Sequence, residues 1–239
     1  EGARQLAEEL ACFMWEHRER LQAPLISIEE AIRLARETSG LTVFSDAADA
    51  TSSGASGDSN WILKGLLADN FPKRALLPLV DAPAAAKAFE AGVGSRFTVA
   101  LGGTVDNERH TPVECEVYVQ SLHDGVFAEE SGEIARAGKT AVLVSGGSTI
   151  MVTEHPVSIM GRRVFESRGV PPADFDLVVC KSPNGFRTHY EQISERIVAV
   201  DAPGSTSANL RSLPYQNVQR PTYPLDEGVS PNMTAEMKL

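Results

Sequence analysis

The hydrophobic and polar positions of the chain follow two alternating patterns, one typical of buried strands and one of amphipathic helices. LTVFSD (41–46), RALLPLVD (74–81), DLVVCKS (176–182) and IVAVDAPG (197–204) are short apolar runs that end in polar residues. Longer segments with helical spacing lie between most of them. Strands that alternate with helices in this way predict a parallel sheet whose faces are covered by helices.

Boundary signals delimit three of these helices. The segment 27–40 opens with a capping box, a serine followed three residues later by a glutamate, and is expected to end at Gly40. A second helix is expected from about Ser59 to Asn70, and a third over GFRTHYEQISER (185–196).

The middle of the chain has a different pattern. Between residues 95 and 155, short alternating segments are joined by glycine or charged turns, a pattern that indicates antiparallel hairpins. The helical rhythm returns from about Met160. The predicted fold class is therefore α/β, with a mostly parallel sheet, covering helices and an antiparallel β-hairpin insertion in the middle.

The ends of the chain differ from its centre. A helix over 3–21 places Leu6, Leu10, Phe13, Met14, His17 and Leu21 on one face, and such a face needs a surface to cover. We expect this helix, within 1–40, to be the end of an upstream domain of a longer protein. Residues 41–226 form the main predicted domain, and 227–239 a tail. The proline-rich segment 213–228 is expected to be an extended surface arm.

Composition excludes several classes of function. The formal net charge of −10 and the pI of about 5.0 argue against nucleic acid and against anionic membranes. The three cysteines are widely spaced, which suggests neither a disulfide framework nor a zinc finger, and buried free thiols are expected. A cytoplasmic location is the prediction that fits these features.

Polar side chains occur where three predicted strands end. Asp46 and Asp49 follow the first strand, Lys181 follows a later one, and Asp201 follows the last. The carboxyl ends of parallel strands meet at one edge of a sheet, which is where open α/β sheets place their sites. Arg187 and His189 come shortly after Lys181, in the first turns of a predicted helix, and are therefore predicted to belong to the same site.

The loop DAADATSSGASGDSN (46–60) has three interpretations that the residues alone leave open. Asp58 or Ser59 can cap the following helix. Alternatively, the backbone N–H groups of SSGASGD can bind an anion at the helix N-terminus, although the loop has no P-loop lysine. Asp46 and Asp49 can instead serve a divalent cation. No local histidine motif for a metal is present, and His110 and His123 are expected to be exposed in polar turns.

The same loop resembles a family hallmark. DAADATSSGASGDSNWILKGLL (46–67) is similar to the Asp-x-x-Asp-Asn-Pro-Gly-Gly-Gly-x-x-Gly-Asp segment of the MlrC (microcystinase C) family of metallopeptidases. Segments at 81–103, 181–193, 200–215 and 220–226 match further family stretches in the same order. Two departures are Ala-Thr-Ser-Ser-Gly in place of Asn-Pro-Gly-Gly-Gly, and Gly185 where a histidine often precedes Phe-Arg.

The resemblance implies a zinc-dependent hydrolase that cleaves amide bonds of a small peptide-like substrate. One zinc ion is expected, held mainly by an upstream domain, so that residues 1–239 alone are expected to be inactive and to bind zinc weakly. The sequence leaves open whether the protein forms a homo-oligomer. The alternative function is a non-catalytic module that binds a small anion at SSGASGD.

Roles for individual residues follow from combining the resemblance with the strand-end argument. Asp49, Arg187 and His189 are the predicted catalytic residues, with Arg187 and His189 on the oxyanion or on a substrate carboxylate. The predicted metal ligands are Asp46 and Asp49. The predicted substrate-binding residues are Ser53, Gly54, Asp58, Lys181 and Asp201.

Overall fold

The computed structural model describes residues 2–231, which form two compact units. One unit is Leu25–Ser207. The other combines Glu1–Pro24 with Ala208–Leu239, of which 2–24 and 208–231 are described. These boundaries differ from the ranges 1–40, 41–226 and 227–239 expected from the sequence, because segment 25–40 packs with the sheet that follows it.

Eleven strands lie in the described part of the larger unit. They are β1 (Ile26–Ser27), β2 (Thr42–Ser45), β3 (Ala75–Val80), β4 (Arg96–Leu101), β5 (Val113–His123), β6 (Val126–Ala128), β7 (Ile134–Arg136), β8 (Thr140–Ser145), β9 (Ser148–Thr153), β10 (Leu177–Cys180) and β11 (Arg196–Asp201). Nine of them form one sheet in the order β1-β11-β2-β10-β3-β9-β8-β5-β4, and β6 pairs with β7 in a small separate hairpin.

The large sheet is parallel from β1 to β9 and antiparallel beyond. β2 lies between β11 and β10, with Val43 opposite Ile197 on one side and Val178 on the other. β9, β8, β5 and β4 then pair antiparallel in turn. The predicted α/β class, with a mostly parallel sheet and an antiparallel section from the middle of the chain, is confirmed.

Six α-helices are described: α1 (Gly2–Glu16), α2 (Ile28–Glu37), α3 (Trp61–Asp69), α4 (Ala82–Ala91), α5 (Arg163–Glu166) and α6 (Arg187–Tyr190). The Ser27 hydroxyl accepts the Glu30 N–H, as the capping box predicts. However, α2 ends at Glu37 rather than Gly40, because Thr38 is already extended. The predicted helix 185–196 is also too long, since only one turn of it forms.

The core occupies both faces of the sheet, as expected for parallel strands covered on each side. Phe44 and Val179 pack on one face with residues of α2, α3 and α4. Val43 and Val178 point to the other face, where Phe165 and Tyr190 cover them. Alternate residues of the same short strands therefore belong to different clusters, which explains why these strands are apolar throughout.

The smaller unit contains α1 and the C-terminal segment. None of the described residues of α1 is buried, and the face predicted to need a partner surface is exposed, including Phe13 at 55%. Cys12 is exposed as well, contrary to expectation, whereas Cys115 and Cys180 are buried. The guanidinium of Arg18 lies 4.4 Å from the Trp15 ring centre and 5.4 Å from that of Tyr223. Among residues 2–231, no helix is both long and apolar enough to cross a membrane.

Candidate functional site

The polar strand ends lie at one edge of the large sheet. Asp46 follows β2, Lys181 follows β10 and Asp201 ends β11, and these three strands are parallel neighbours. β3 ends at the same edge, where it is followed by Asp81. Asp46 and Lys181 are both 2% exposed, so the charged groups that follow β2 and β10 are buried.

Lys181 is the centre of a buried charge cluster. Its ammonium donates to Asp49 Oδ2 at 2.6 Å, to Asp46 Oδ2 at 3.2 Å and to the carbonyl oxygen of Ser59 at 3.2 Å. An ammonium has three donors, and all three are used here. Burial alone would lower the pKa of Lys181, but the two carboxylates beside it raise it. Burial raises the pKa of Asp46, although the ammonium of Lys181 opposes that shift.

Asp49 closes the loop that follows β2. Its Oδ1 accepts the N–H of Gly57 at 2.8 Å, and its Oδ2 accepts the N–H of Ser59 at the same distance. Asp49 lies in a 3-10 turn directly after the strand, so one side chain fixes both the loop and Lys181. Two of the backbone N–H groups that could bind an external anion at this helix N-terminus, those of Gly57 and Ser59, are therefore bound by this carboxylate.

Asp58 holds a different loop and is not a helix cap. α3 begins at Trp61, and its N-cap Asn60 makes no side-chain capping bond. The Asp58 Oδ2 instead accepts the N–H groups of Val105 at 2.7 Å and Asp106 at 3.0 Å. Burial would raise the pKa of Asp58, but hydrogen bonds from the Ser56 hydroxyl and from these two amides lower it. The capping prediction is wrong because α3 starts at Trp61, two residues later than a cap at Asp58 requires.

Asn60 ties the loop 102–111 to the start of α3. Its Nδ2 donates to the carbonyl oxygens of Leu101 at 2.6 Å and Thr111 at 2.9 Å. Gly102 lies directly against this side chain, with a φ of +79°. A Cβ on Gly102 would be 2.7 Å from the Cβ of Asn60. Glycine is therefore required here by both backbone conformation and close approach.

This close approach gives a testable difference between two glycines. Gly102→Ala is expected to lower the free energy of unfolding by about 1–3 kcal/mol more than Gly92→Ala. Gly92 has a similar φ of +83°, but a Cβ there meets nothing within 4 Å. Urea unfolding of both variants measures the difference. Equal losses of stability would show that the contact between Gly102 and Asn60 contributes nothing.

His110 is buried beside Asp58, contrary to the expectation of an exposed turn. The residue is 1% exposed, and its Nε2 is 4.0 Å from Asp58 Oδ1. Neither ring nitrogen has a hydrogen-bond partner among residues 2–231. One ligand atom each of Asp49, Asp58 and His110 lie within 4.8 Å of one another. The loop that carries His110 is folded inward by its bonds to Asp58 and Asn60, and sequence spacing gives no signal of that.

Several predicted site residues are accessible rather than buried. Ser53 and Gly54 are exposed at the tip of the loop after β2. Arg187 is exposed and pairs with Glu191 at 3.6 Å. His189 lines a cavity of about 360 Å³ with Phe127, Glu129, Glu130, Ser131, Ser158, Met160, Gly161 and Val164. That lining shares no residue with the cluster around Lys181.

One small cavity is found beside the buried charges. A cavity of about 10 Å³ borders Asp46, Ser59 and Lys181. That volume corresponds to roughly one water molecule and excludes a peptide-sized ligand. The predicted site residues therefore divide into two groups. A buried group contains Asp46, Asp49, Asp58 and Lys181, and a second group contains Ser53, Gly54, Arg187, His189 and the half-buried Asp201.

Fold and geometry together define a parallel α/β domain with buried charges at the carboxyl edge of its sheet. The MlrC C-terminus family model matches residues 44–217, and the chain belongs to this family. Microcystinase C from Sphingomonas sp. is 26% identical over 181 residues, which are 76% of this chain and 35% of that protein.

A solved structure has the same fold. It is the crystal structure of a protein from Mesorhizobium sp. BNC1 that is proposed to be a metallopeptidase, with a TM-score of 0.81 and 28% identity. The match covers 94% of this chain and 46% of the solved one. The chain thus spans about a third of the curated relative and about half of the solved chain.

Proposed function

We propose that this chain is the C-terminal portion of a metal-dependent hydrolase, an MlrC-like metallopeptidase that cleaves amide or peptide bonds of a small peptide-like substrate. The observation that carries the proposal is the buried charge cluster of Asp46, Asp49 and Lys181 at the carboxyl edge, within a chain that belongs to this family. Both similar proteins bear peptidase names, Microcystinase C and a proposed metallopeptidase.

The buried group has a positioning role in this proposal. Lys181 uses all its donors inside the protein, and both oxygens of Asp49 accept backbone N–H groups. Buried carboxylates and an ammonium that bind one another hold their loops in one conformation at the expense of flexibility. We therefore assign Asp49 and Lys181 to holding the loop 46–60 rather than to direct contact with the substrate.

The accessible group is assigned to the substrate. Ser53 and Gly54 lie at the loop tip that Asp49 anchors, and Arg187 and His189 follow the strand that ends in Lys181. A guanidinium and an imidazole can stabilise a developing oxyanion or bind a substrate carboxylate. Asp201, at the end of β11, is the remaining substrate-binding residue that we propose at this edge.

Zinc is proposed as the cofactor, held mainly by residues upstream of this chain. When bound, zinc polarises a carbonyl group and lowers the pKa of a bound water. The Oδ2 atoms of Asp46 and Asp49 do not fit the role of zinc ligands. The ammonium of Lys181 already lies against Asp46 Oδ2 and Asp49 Oδ2, where it supplies the positive charge.

The negative net charge of the chain limits the classes of partner that we propose. The net charge of −10 disfavours nucleic acid and anionic membranes, which leaves a small soluble substrate and a cytoplasmic location as the proposal. The alternative, an anion-binding module at SSGASGD, is less favoured. Within SSGASGD the N–H of Gly57 already donates to Asp49, as does the N–H of Ser59 directly after the segment.

A peptide-hydrolysis assay tests the proposal in the protein that joins this chain to its upstream domain. We expect the wild type to release new amino groups from linear peptides. Arg187→Ala and His189→Ala should each reduce kcat/KM by about 10- to 100-fold at unchanged melting temperature, because both lie on accessible positions. Arg33→Ala is the control, since Arg33 is an equally exposed, ion-paired residue on α2.

Two results would contradict the proposal. Absence of hydrolysis by metal-loaded wild type would leave the binding-module alternative. Full activity of both Arg187→Ala and His189→Ala would remove these residues from the site while leaving the reaction class in place.

A further inference from the structure

We propose that Asp49, Asp58 and His110 bind a divalent cation of the zinc type within this domain. This second site joins the loop 46–60 to the loop 102–111. The proposal goes beyond the hydrolase function and does not depend on it, because all three residues belong to this chain. One ligand atom from each residue lies within 4.8 Å of the others, and all three residues are buried.

His110 provides the observation that points to a ligand. Its imidazole is 1% exposed, yet neither nitrogen has a hydrogen-bond partner in the described part of the chain. Leaving buried polar atoms without a partner costs about 1–3 kcal/mol each. The Nε2 atom faces Asp58 Oδ1 across 4.0 Å, a separation that two ligands of one ion can have. A cation bound between them would give the Nε2 atom of His110 the partner that it lacks.

The carboxylates of Asp49 and Asp58 share the hydroxyl group of Ser56. The Ser56 hydroxyl lies 2.5 Å from Asp58 Oδ1 and 3.3 Å from Asp49 Oδ1. A hydroxyl has one proton, so it can donate to only one of these two oxygens at a time. Two carboxylates therefore approach one hydroxyl proton, although Asp49 Oδ1 also accepts the Gly57 N–H, and a cation would neutralise the repulsion between the two negative charges.

The buried charges at this edge of the sheet are also more negative than positive. Among the described residues of this edge, four aspartates are buried, and the one ammonium buried with them is that of Lys181. The four are Asp46, Asp49, Asp58 and Asp81. Lys181 contacts only the first two of them. Uncompensated buried charge is costly, and a divalent ion beside Asp58 places positive charge where Lys181 does not reach.

The donor types select the kind of ion. One imidazole nitrogen and two carboxylate oxygens suit zinc or a similar transition-metal ion, whereas calcium and magnesium prefer sets made only of oxygen. Three protein ligands leave a fourth position to water. The weak zinc binding expected from the sequence for residues 1–239 alone is therefore replaced by an expectation of one bound ion.

Metal titration of the chain of residues 1–239 tests the site. After chelator treatment and dialysis, we expect calorimetry with zinc chloride to show one saturable equivalent, and the melting temperature to rise by several degrees. Cobalt(II) should give the visible absorption of a site with nitrogen and oxygen ligands. His110→Gln should remove the saturable equivalent and the cobalt spectrum, while His155→Ala, a change at an exposed histidine, should retain both.

If a variant fails to fold, the wild-type chain still tests the proposal. Zinc should shift the side-chain NMR signals of one buried histidine in the unmodified chain. Lack of a saturable equivalent in the wild type would overturn the site. Unchanged binding by folded His110→Gln would overturn it as well and assign the ion to other residues.

Discussion

Lys181→Met is expected to lower the free energy of unfolding by about 3–5 kcal/mol, the loss that follows when one partner of a buried ion pair is removed. Methionine keeps the length of the side chain but removes the ammonium that binds Asp46, Asp49 and the Ser59 carbonyl. Two carboxylates are then left buried without a counter-charge. Urea unfolding followed by circular dichroism measures the change.

Lys87→Met is the matched control for this experiment. The ammonium of Lys87 donates to the carbonyl oxygen of Thr98 in an exposed position, so its loss should cost no more than about 1 kcal/mol. If Lys181→Met were no more destabilising than Lys87→Met, the cluster would not be what holds the carboxyl edge together.

Asp49→Asn should be the second large effect, with a loss of about 3 kcal/mol or more. The Oδ2 of Asp49 accepts from both Lys181 and the Ser59 N–H, and its Oδ1 accepts from Gly57. In asparagine an NH2 group replaces one of the two oxygens, so that its N–H donors meet at least one of the donors that now bind Asp49. The negative charge opposite Lys181 is also lost. Thermal melts and urea unfolding of the variant give the size of the loss.

This result differs from what the sequence alone suggests. A residue so far from α3 cannot cap it, and on that basis Asp49→Asn would be expected to affect turnover and leave stability unchanged. Asp69→Asn, at a surface carboxylate paired with Arg36, is the control and should cost less than about 1 kcal/mol. Wild-type stability of Asp49→Asn would restore the purely chemical role for this residue.

The fold was largely predictable because its signals are local. The apolar runs of β2, β3, β10 and β11 are bounded by polar residues, and helices between them require parallel pairing. Their polar ends then had to meet at one edge, which is why Asp46 and Lys181 could be expected near each other. The capping box at Ser27 was equally predictable, since the Ser27 hydroxyl and the Glu30 N–H that donates to it are only three residues apart.

The site was less predictable because its contacts join distant segments. His110 sits in a polar turn whose inward fold depends on Asp58 binding the amides of Val105 and Asp106, 47 and 48 residues away. No spacing rule covers such a pair. Likewise, Asp58 looks like a helix cap in sequence because its true partners are remote. The sequence predicts a helix over 185–196 that carries Arg187 and His189, but only one helical turn forms there.

Chelation of the protein that joins this chain to the proposed upstream domain tests the central claim most directly. The initial rate of amide-bond cleavage in a linear peptide is measured before metal removal, after it, and after zinc is added back. Metal-dependent hydrolysis predicts a fall of about 100-fold or more on removal and recovery on addition of one or two equivalents of zinc. A rate that stays the same after metal analysis confirms complete removal would contradict the account.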